Sequence, residues 1–443
     1  MEIRDFTGEE TAMRVEQRAR PGAGRGSAGV LFALLLAVGA CDFSVTNPGP
    51  VQDKFLEERA AHMAVVNGAA RALQDGLNNV AYTTAAVSRE LFPAGSTSSF
   101  GITPRQQQGV LAFDDEHTGW LSHQRARSIA ETGYARFQEA ITPDPIESYE
   151  PAARIALWAG YANRLLAENW CFVTIDGGPA LPSKEVAKRA EQWFTTALQS
   201  AEALKKTDLV NAALAGRASV RVALGDWSGA VADASRVPTT FVFNMNYYDL
   251  DVDQTNRLFW AGAGTPYRAH TVWRTVYEGY YKATKDPRVA WIDTGLQGDA
   301  AVMDLGRVPF YRQDKHGKRT SPIRLSSGRE MRLIEAEALL RGGNWAGAMA
   351  LINDLRKATG VAEVSAADLT EAWARLKRER GIELWLEGRR MHDLRRWKGE
   401  NTPGALDPLE LPGETSRLSD KQTLCYDIPK AERETNKNVP RTP

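Results

Sequence analysis

The chain has 443 residues, with 55 Lys+Arg against 55 Asp+Glu, 6 His and 3 Cys. Zero formal charge argues against a mainly polyanionic partner such as nucleic acid, and three cysteines cannot build a disulfide-dense scaffold. An apolar fraction of 43% with 25% charged residues is ordinary for a globular protein and too apolar for a disordered one, and a single membrane-compatible segment excludes a polytopic membrane protein.

The first segment reads as an address. Val30–Val38 (VLFALLLAV) is too short to span a bilayer but suits the apolar core of a signal peptide, and Arg14, Arg18, Arg20 and Arg25 supply its positive flank. Met13 would give a more usual leader than Met1. Val38-Gly39-Ala40-Cys41 resembles a bacterial lipobox, in which the cysteine is lipidated and becomes the first mature residue; the alternative is an ordinary signal peptide with a chance cysteine. Residues 1–40 are thus expected to be a signal peptide and 41–52 a tether, whose Asn47-Pro48-Gly49-Pro50 cannot continue a helix. Lipidation of Cys41 would anchor the protein to a membrane without a spanning helix. Cys171 and Cys425 are then the remaining thiols. In an oxidising compartment they could pair, although two isolated buried thiols is the favoured reading.

The rest reads as largely helical. Asp53–Leu77 and His117–Ile141 have helical periodicity, and Leu91–Gly109, rich in Gly, Ser, Thr and Pro, reads as a loop. Pro151–Trp170 starts with proline at a helix-start position and places Ile155, Trp158, Tyr161 and Leu165 at helical spacing. Ser183 is expected to cap the next helix. Gly225-Asp226-Trp227-Ser228-Gly229-Ala230 then recurs as Gly343-Asn344-Trp345-Ala346-Gly347-Ala348, each copy joining two apolar-periodic helices. This is similar to the turn of a tetratricopeptide repeat, in which a small residue (Ala230, Ala348) lets the paired helices approach. Helical hairpins are expected at about 151–238 and 323–397, inside one domain over 53–443. The stretch from Phe241 to Tyr311 has weak periodicity and many aromatics, and reads as irregular. Residues 406–443 read as extended.

Common catalytic signatures are missing: no His-Glu-x-x-His, no Gly-x-Ser-x-Gly and no P-loop. His117 and His123 are six apart and do not share a helix face. Asp249, Asp251 and Asp253 alternate as calcium ligands can, but Gln254 and Trp260 stand where such a loop needs glycine and glutamate, so a solvated loop outweighs calcium. Glu379, Glu383 and Glu387 would line one helix face; interleaved arginines make an internal salt-bridge network the favoured meaning over a metal or acid–base site. No cofactor is expected. The aromatics are more informative. Sugar rings pack their C–H faces on aromatic faces, with amides and carboxylates beside them for the hydroxyls. Phe92, Phe100 and Trp120 around the first loop, with Trp260, Tyr267, Tyr277, Tyr280 and Trp291, are the candidate ligand-binding residues, two or three of them expected to be exposed together and the others to be core.

Three blocks in order, IRLSSGREMRLIEAEALLRGGNWAGAMALINDLRKATGV from Ile323, RERGIELWLEGRRMHDLRRW over Arg378–Trp397 and DIPKAERETN over Asp427–Asn436, resemble the SusD/RagB family of outer-membrane nutrient-binding lipoproteins. Asp286-Pro287-Arg288 matches a further landmark of that family, and the resemblance is weak over Asp53–Tyr149. The resemblance implies a non-catalytic, cell-surface lipoprotein of the outer membrane. Its mainly α scaffold of four tetratricopeptide-like hairpins would carry an irregular, loop-rich binding region. It would capture a glycan, or a peptide, and pass it to a TonB-dependent channel, with no role for nucleic acid. The contrasting expectation is a helical-repeat scaffold lipoprotein of envelope assembly without a small ligand; its aromatics would all be buried.

Overall fold

Two turns of like sequence set the architecture. In the computed structural model, Gly225 and Gly343 adopt φ of 84° and 79°, values that favour glycine. Asp226 and Asn344 follow, their side-chain oxygens accepting the N–H of Gly229 and Gly347 at 2.9 and 3.0 Å and starting the next helix. Ala230 and Ala348 are fully buried, as close helix approach requires. The structure describes residues 53–96, 102–115, 118–302, 304–405 and 424–443.

The helices in chain order are α1 (His62–Val87), α2 (Thr118–Ile141), α3 (Glu150–Asn169), α4 (Ser183–Ala203), α5 (Thr207–Leu224), α6 (Trp227–Ala234), α7 (Arg257–Gly262), α8 (Val276–Thr284), α9 (Gly328–Arg341), α10 (Trp345–Ala358), α11 (Leu369–Glu383) and α12 (Arg390–Gly399), with short turns elsewhere. The fold is mainly α. Four antiparallel pairs form it: α1 on α2, α3 on α4, α5 on α6, and α9 on α10, with α4 also packed on α5 and α6 on α9. One apolar core runs from Leu73 of α1 to Trp397 of α12. A smaller cluster, including Val66, Phe137 and Ile155, closes the end where α1, α2 and α3 meet.

The irregular stretch contains more order than its periodicity implies. Strand β1 (Val242–Met245) pairs with β4 (Ile323–Ser327), and β2 (Trp291–Gln297) with β3 (Pro309–Gln313). Phe92–Pro93 pairs with His270–Thr271, tying the first loop to this stretch. The C-terminal stretch, expected to be extended, contains a helical turn at Lys430–Thr435.

Three local expectations are corrected. Ser183 is the first helical residue and caps nothing; Pro182 precedes it at the N-cap position. The charge-rich C-terminal block is not one helix. It breaks between α11 and α12, where Leu386 and Gly388 have φ of 60° and 72°. The break is held by the Leu386 N–H donating to Glu90 at 2.9 Å, and by Lys315 Nζ donating to the Trp385 carbonyl at 2.6 Å. Cys171 and Cys425 form a disulfide with Cα atoms 5.4 Å apart, fixing the C-terminal segment to the end of α3. The antiparallel pairing of Phe172–Val173 with Leu181–Pro182 and the Cys171 N–H donating to Tyr426 O at 2.9 Å bring these distant thiols together.

Candidate functional site

Arg71, Asp75 and Asn79 recur every fourth residue along α1 and share one face. That face lines a cleft of about 850 Å³. Trp120 and Leu121 of α2, Asp114 and Asp115 before it, Asp253 and Arg257, and Pro429–Ala431 with Glu434 complete the wall. The cleft therefore joins α1 and the start of α2 to the irregular stretch after Phe241 and to the C-terminal segment.

Its polar groups are held by one another. Arg71 donates to the Asp253 carbonyl at 3.3 Å, and Ser122 Oγ donates to Asp75. Asn79 Nδ2 donates to the Asp75 carbonyl at 3.0 Å, leaving Oδ1 buried without a donor. Arg105 bridges Asp114 and Asp115 at 3.0 and 2.6 Å, while Asp115 Oδ2 is buried and also lacks a donor. Burial pushes the Arg257 guanidinium below its ordinary range, against the pull of Asp75. Acceptors beside guanidiniums and an aromatic form a surface suited to hydroxyl-bearing ligands.

The aromatic candidates divide. Phe92 is buried edge-on against Trp273 at 5.6 Å, and Trp120 against Trp170 at 5.5 Å, although Trp120 still borders the cleft. Tyr277 is buried with its hydroxyl donating to the Gly381 carbonyl, and Trp291 stacks on Tyr311 at 4.5 Å. Tyr280 is half-buried; its hydroxyl donates to Asp286 at 2.9 Å and accepts from Arg356 at 3.1 Å. Tyr267 is 42% exposed and meets the half-buried Trp260 edge-on at 5.5 Å. Trp260 is steadied by its Nε1 donating to Thr255 at 2.7 Å and by Arg319 4.5 Å from the ring centroid. It lies one helical turn beyond Arg257. Phe100, His117 and Cys41 lie outside the described residues.

The Asp249–Asp253 loop, where the sequence favours a solvated loop over calcium, has its Asp249 and Asp251 carboxylates engaged within the chain. Asp249 pairs with Arg319 at 3.2 Å, and Asp251 accepts the N–H groups of Asp253 and Gln254 at 2.9 and 3.0 Å. Among the described residues no three His, Cys, Asp or Glu side chains gather as a metal site requires. His123 is buried on the Gly119 carbonyl at 2.6 Å, and burial holds its pKa down at about 4. The acidic row, Glu379 and Glu383 of α11 with Glu387 in the break after it, is internal. Glu379 meets Arg288 and Arg356 at 2.5 and 2.9 Å, and Glu387 meets Lys315 and Arg324 at 2.7 and 2.6 Å. Asp286 holds the other side of Arg288 at 2.7 Å.

Sequence reasoning missed Arg71, Asp75 and Asn79. Their four-residue spacing, which puts them on one helix face, was the available signal.

The fold is of one class, paired helical hairpins with a cleft walled by both helix and loop residues. The SusD family model matches residues 311–440, and that segment is similar to the SusD family. Solved structures show that the rest shares its fold. A SusD superfamily protein from Parabacteroides distasonis is 13% identical, with 86% of this chain and 98% of that one covered at a TM-score of 0.66. A SusD-like carbohydrate-binding protein from Bacteroides vulgatus is 16% identical, with 86% and 97% covered at a TM-score of 0.61. A laminarin-binding SusD-like protein is 17% identical, with 87% and 99% covered at a TM-score of 0.62. No curated protein matches the sequence. No helix among the described residues is long and apolar enough to cross a membrane.

Proposed function

We propose that the protein captures a neutral oligosaccharide, without catalysis, in the cleft between α1, α2 and the Asp253–Arg257 turn, with Trp260 and Tyr267 as the flanking aromatic surface. The observation that carries this reading is the cleft itself: carboxylates, an amide and guanidiniums around about 850 Å³ beside an aromatic ring. The glycan named for the laminarin-binding relative of the same fold supports the ligand class. Binding would be of moderate strength, because an open, solvated site must also release its ligand. In the same proposal, acyl chains on Cys41 hold the protein to the outer membrane, and the glycan passes to a TonB-dependent channel.

Calorimetric titration of the full chain with neutral α- and β-glucan oligosaccharides and with peptides tests this. Binding of an oligosaccharide, weakened about tenfold (about 1.4 kcal/mol) in both Asp75→Ala and Trp260→Ala, is expected. The burial of Phe92, Tyr277 and Trp291 fits the contrasting scaffold reading. Absence of heat with every oligosaccharide and peptide would leave that reading standing. A Cys41→Ala chain that still sediments with membranes would remove the anchor.

A further inference from the structure

Trp120, the aromatic ring in the cleft wall, rests edge-on against Trp170 at 5.5 Å. Trp170 packs in turn on Tyr426 at 5.6 Å. Cys171 follows Trp170 in the chain and Cys425 precedes Tyr426, so the disulfide joins the neighbours of both rings of this stack. Backbone bonds cross the same junction. The Cys171 N–H donates to the Tyr426 carbonyl at 2.9 Å, and the Tyr426 N–H donates to the Asn169 carbonyl at 2.8 Å.

From this junction the C-terminal segment runs along the cleft, where Pro429, Lys430, Ala431 and Glu434 line it. The Lys430 N–H donates to the Phe113 carbonyl at 2.9 Å and so steadies the stretch that carries Asp114 and Asp115. Thr174 Oγ1 donates to Glu432 at 2.7 Å. Three parts of the wall, at Trp120, Asp114–Asp115 and Pro429–Glu434, converge on one segment.

The non-covalent pairing at the junction is short. Trp170 and Tyr426 form an isolated parallel bridge, and the adjacent pairing of Phe172–Val173 with Leu181–Pro182 is two residues long. Pairing of that length is not stable by itself in water. Burial of Tyr426 and Ile428 keeps the segment attached, and the covalent bond sets how often it lifts. A link makes redocking intramolecular, and one that closes 254 residues removes more chain freedom than a short one. The bond can also be reached. Cys425 is buried, but Cys171 is half-buried and Phe172 beside it is 46% exposed.

We propose that Cys171–Cys425 is a thiol-sensitive latch on the cleft, which holds the wall while closed and lets it loosen when a dithiol reduces it. One thiolate of the dithiol attacks Cys171 Sγ, the sulfur–sulfur bond breaks, and Cys425 leaves as a thiolate that takes a proton. The second thiolate of the reagent attacks its own sulfur of the mixed disulfide, and Cys171 leaves and is protonated. The two cysteines gain two electrons and two protons, and the dithiol loses them as it becomes a cyclic disulfide. The latch does not depend on which ligand the cleft takes.

Hydrogen exchange read by mass spectrometry on the full chain, with and without dithiothreitol and with no ligand present, tests this. On reduction, peptides covering Phe113–Trp120, Cys171–Thr174 and Tyr426–Glu434 should exchange about tenfold faster, while those in α9 and α10 stay unchanged. The Cys171→Ser/Cys425→Ser double variant should match the reduced protein. A bond that stays intact in the folded protein under dithiothreitol overturns the proposal. So does unchanged exchange at Tyr426–Glu434 once the bond is open. Equal acceleration in α9 and α10 overturns it too, because the bond is then a staple of the whole fold. None of these results bears on glycan capture, which the calorimetric titrations decide.

Discussion

Glu383 accepts from three arginines: Arg288 and Arg324 at 3.0 Å and Arg329 at 2.9 Å. Burial opposes its charge, but Arg324, Arg329 and Arg288 outweigh that and hold the carboxyl down at about 2. The arginines alternating with carboxylates in the sequence made an ion-pair network legible. The partners were not, because Arg288, Arg324 and Arg329 lie 54 to 95 positions away. Glu383→Ala would leave three partly buried guanidiniums short of a carboxylate, at a cost of about 3–5 kcal/mol. Urea unfolding should show that loss while oligosaccharide affinity stays within about twofold. Selective loss of affinity at unchanged stability would instead put the ligand on α11.

Among the elements, the clearest constraint is where α3 and α5 close on α4. Phe194 of α4 is fully buried between Gly160 and Gly216. A Cβ at Gly216 would fall 2.3 Å from the ring, and one at Gly160 2.7 Å. Alanine gains about 1 kcal/mol of helix propensity over glycine, but overpacking a core costs about 1–3 kcal/mol. Gly216→Ala should therefore lower the melting temperature. The comparison is Gly279→Ala in α8, where nothing lies within 4 Å of the new methyl and stability should rise by about 0.5–1 kcal/mol. Equal effects at the two positions would refute the packing argument. Hairpin periodicity and the repeated turns located the later paired helices within a few residues, but α1, expected over Asp53–Leu77, runs over His62–Val87. The break between α11 and α12 escaped, because Glu90 and Lys315, which hold it, come from segments remote in sequence.

For the molecule as a whole, burial fixes the response to acid. Burial holds His123 at about 4, His270 and His316 at about 3, and His392 well below the ordinary 6.5. His62 is lowered in the same sense. Unfolding below pH 6.5 lets these rings take up protons that the native state excludes, so stability falls as pH falls. Glu90 and Glu330, pushed up to about 7 by burial, act oppositely, as do Glu168 and Glu335, which burial also raises. Five lowered histidines stand against four raised carboxyls. Glu383 adds to the loss below about pH 4.5, since its carboxyl is held at about 2 when folded. Thermal melts should show the melting temperature falling from pH 6.5 to 4.5 and more steeply below. A rise over the first interval would show that the buried carboxyls dominate.

The sequence by itself determined the helical hairpins, their capped turns and the family signature of the C-terminal segment, because spacing and turn chemistry act between near neighbours. Tertiary structure decided the rest. It joined Cys171 to Cys425, buried Phe92, Tyr277 and Trp291, and gathered Arg71, Asp75, Asp115 and Arg257 around one cleft. Those outcomes depend on which distant surfaces exclude water from each other, and side-chain periodicity does not encode that.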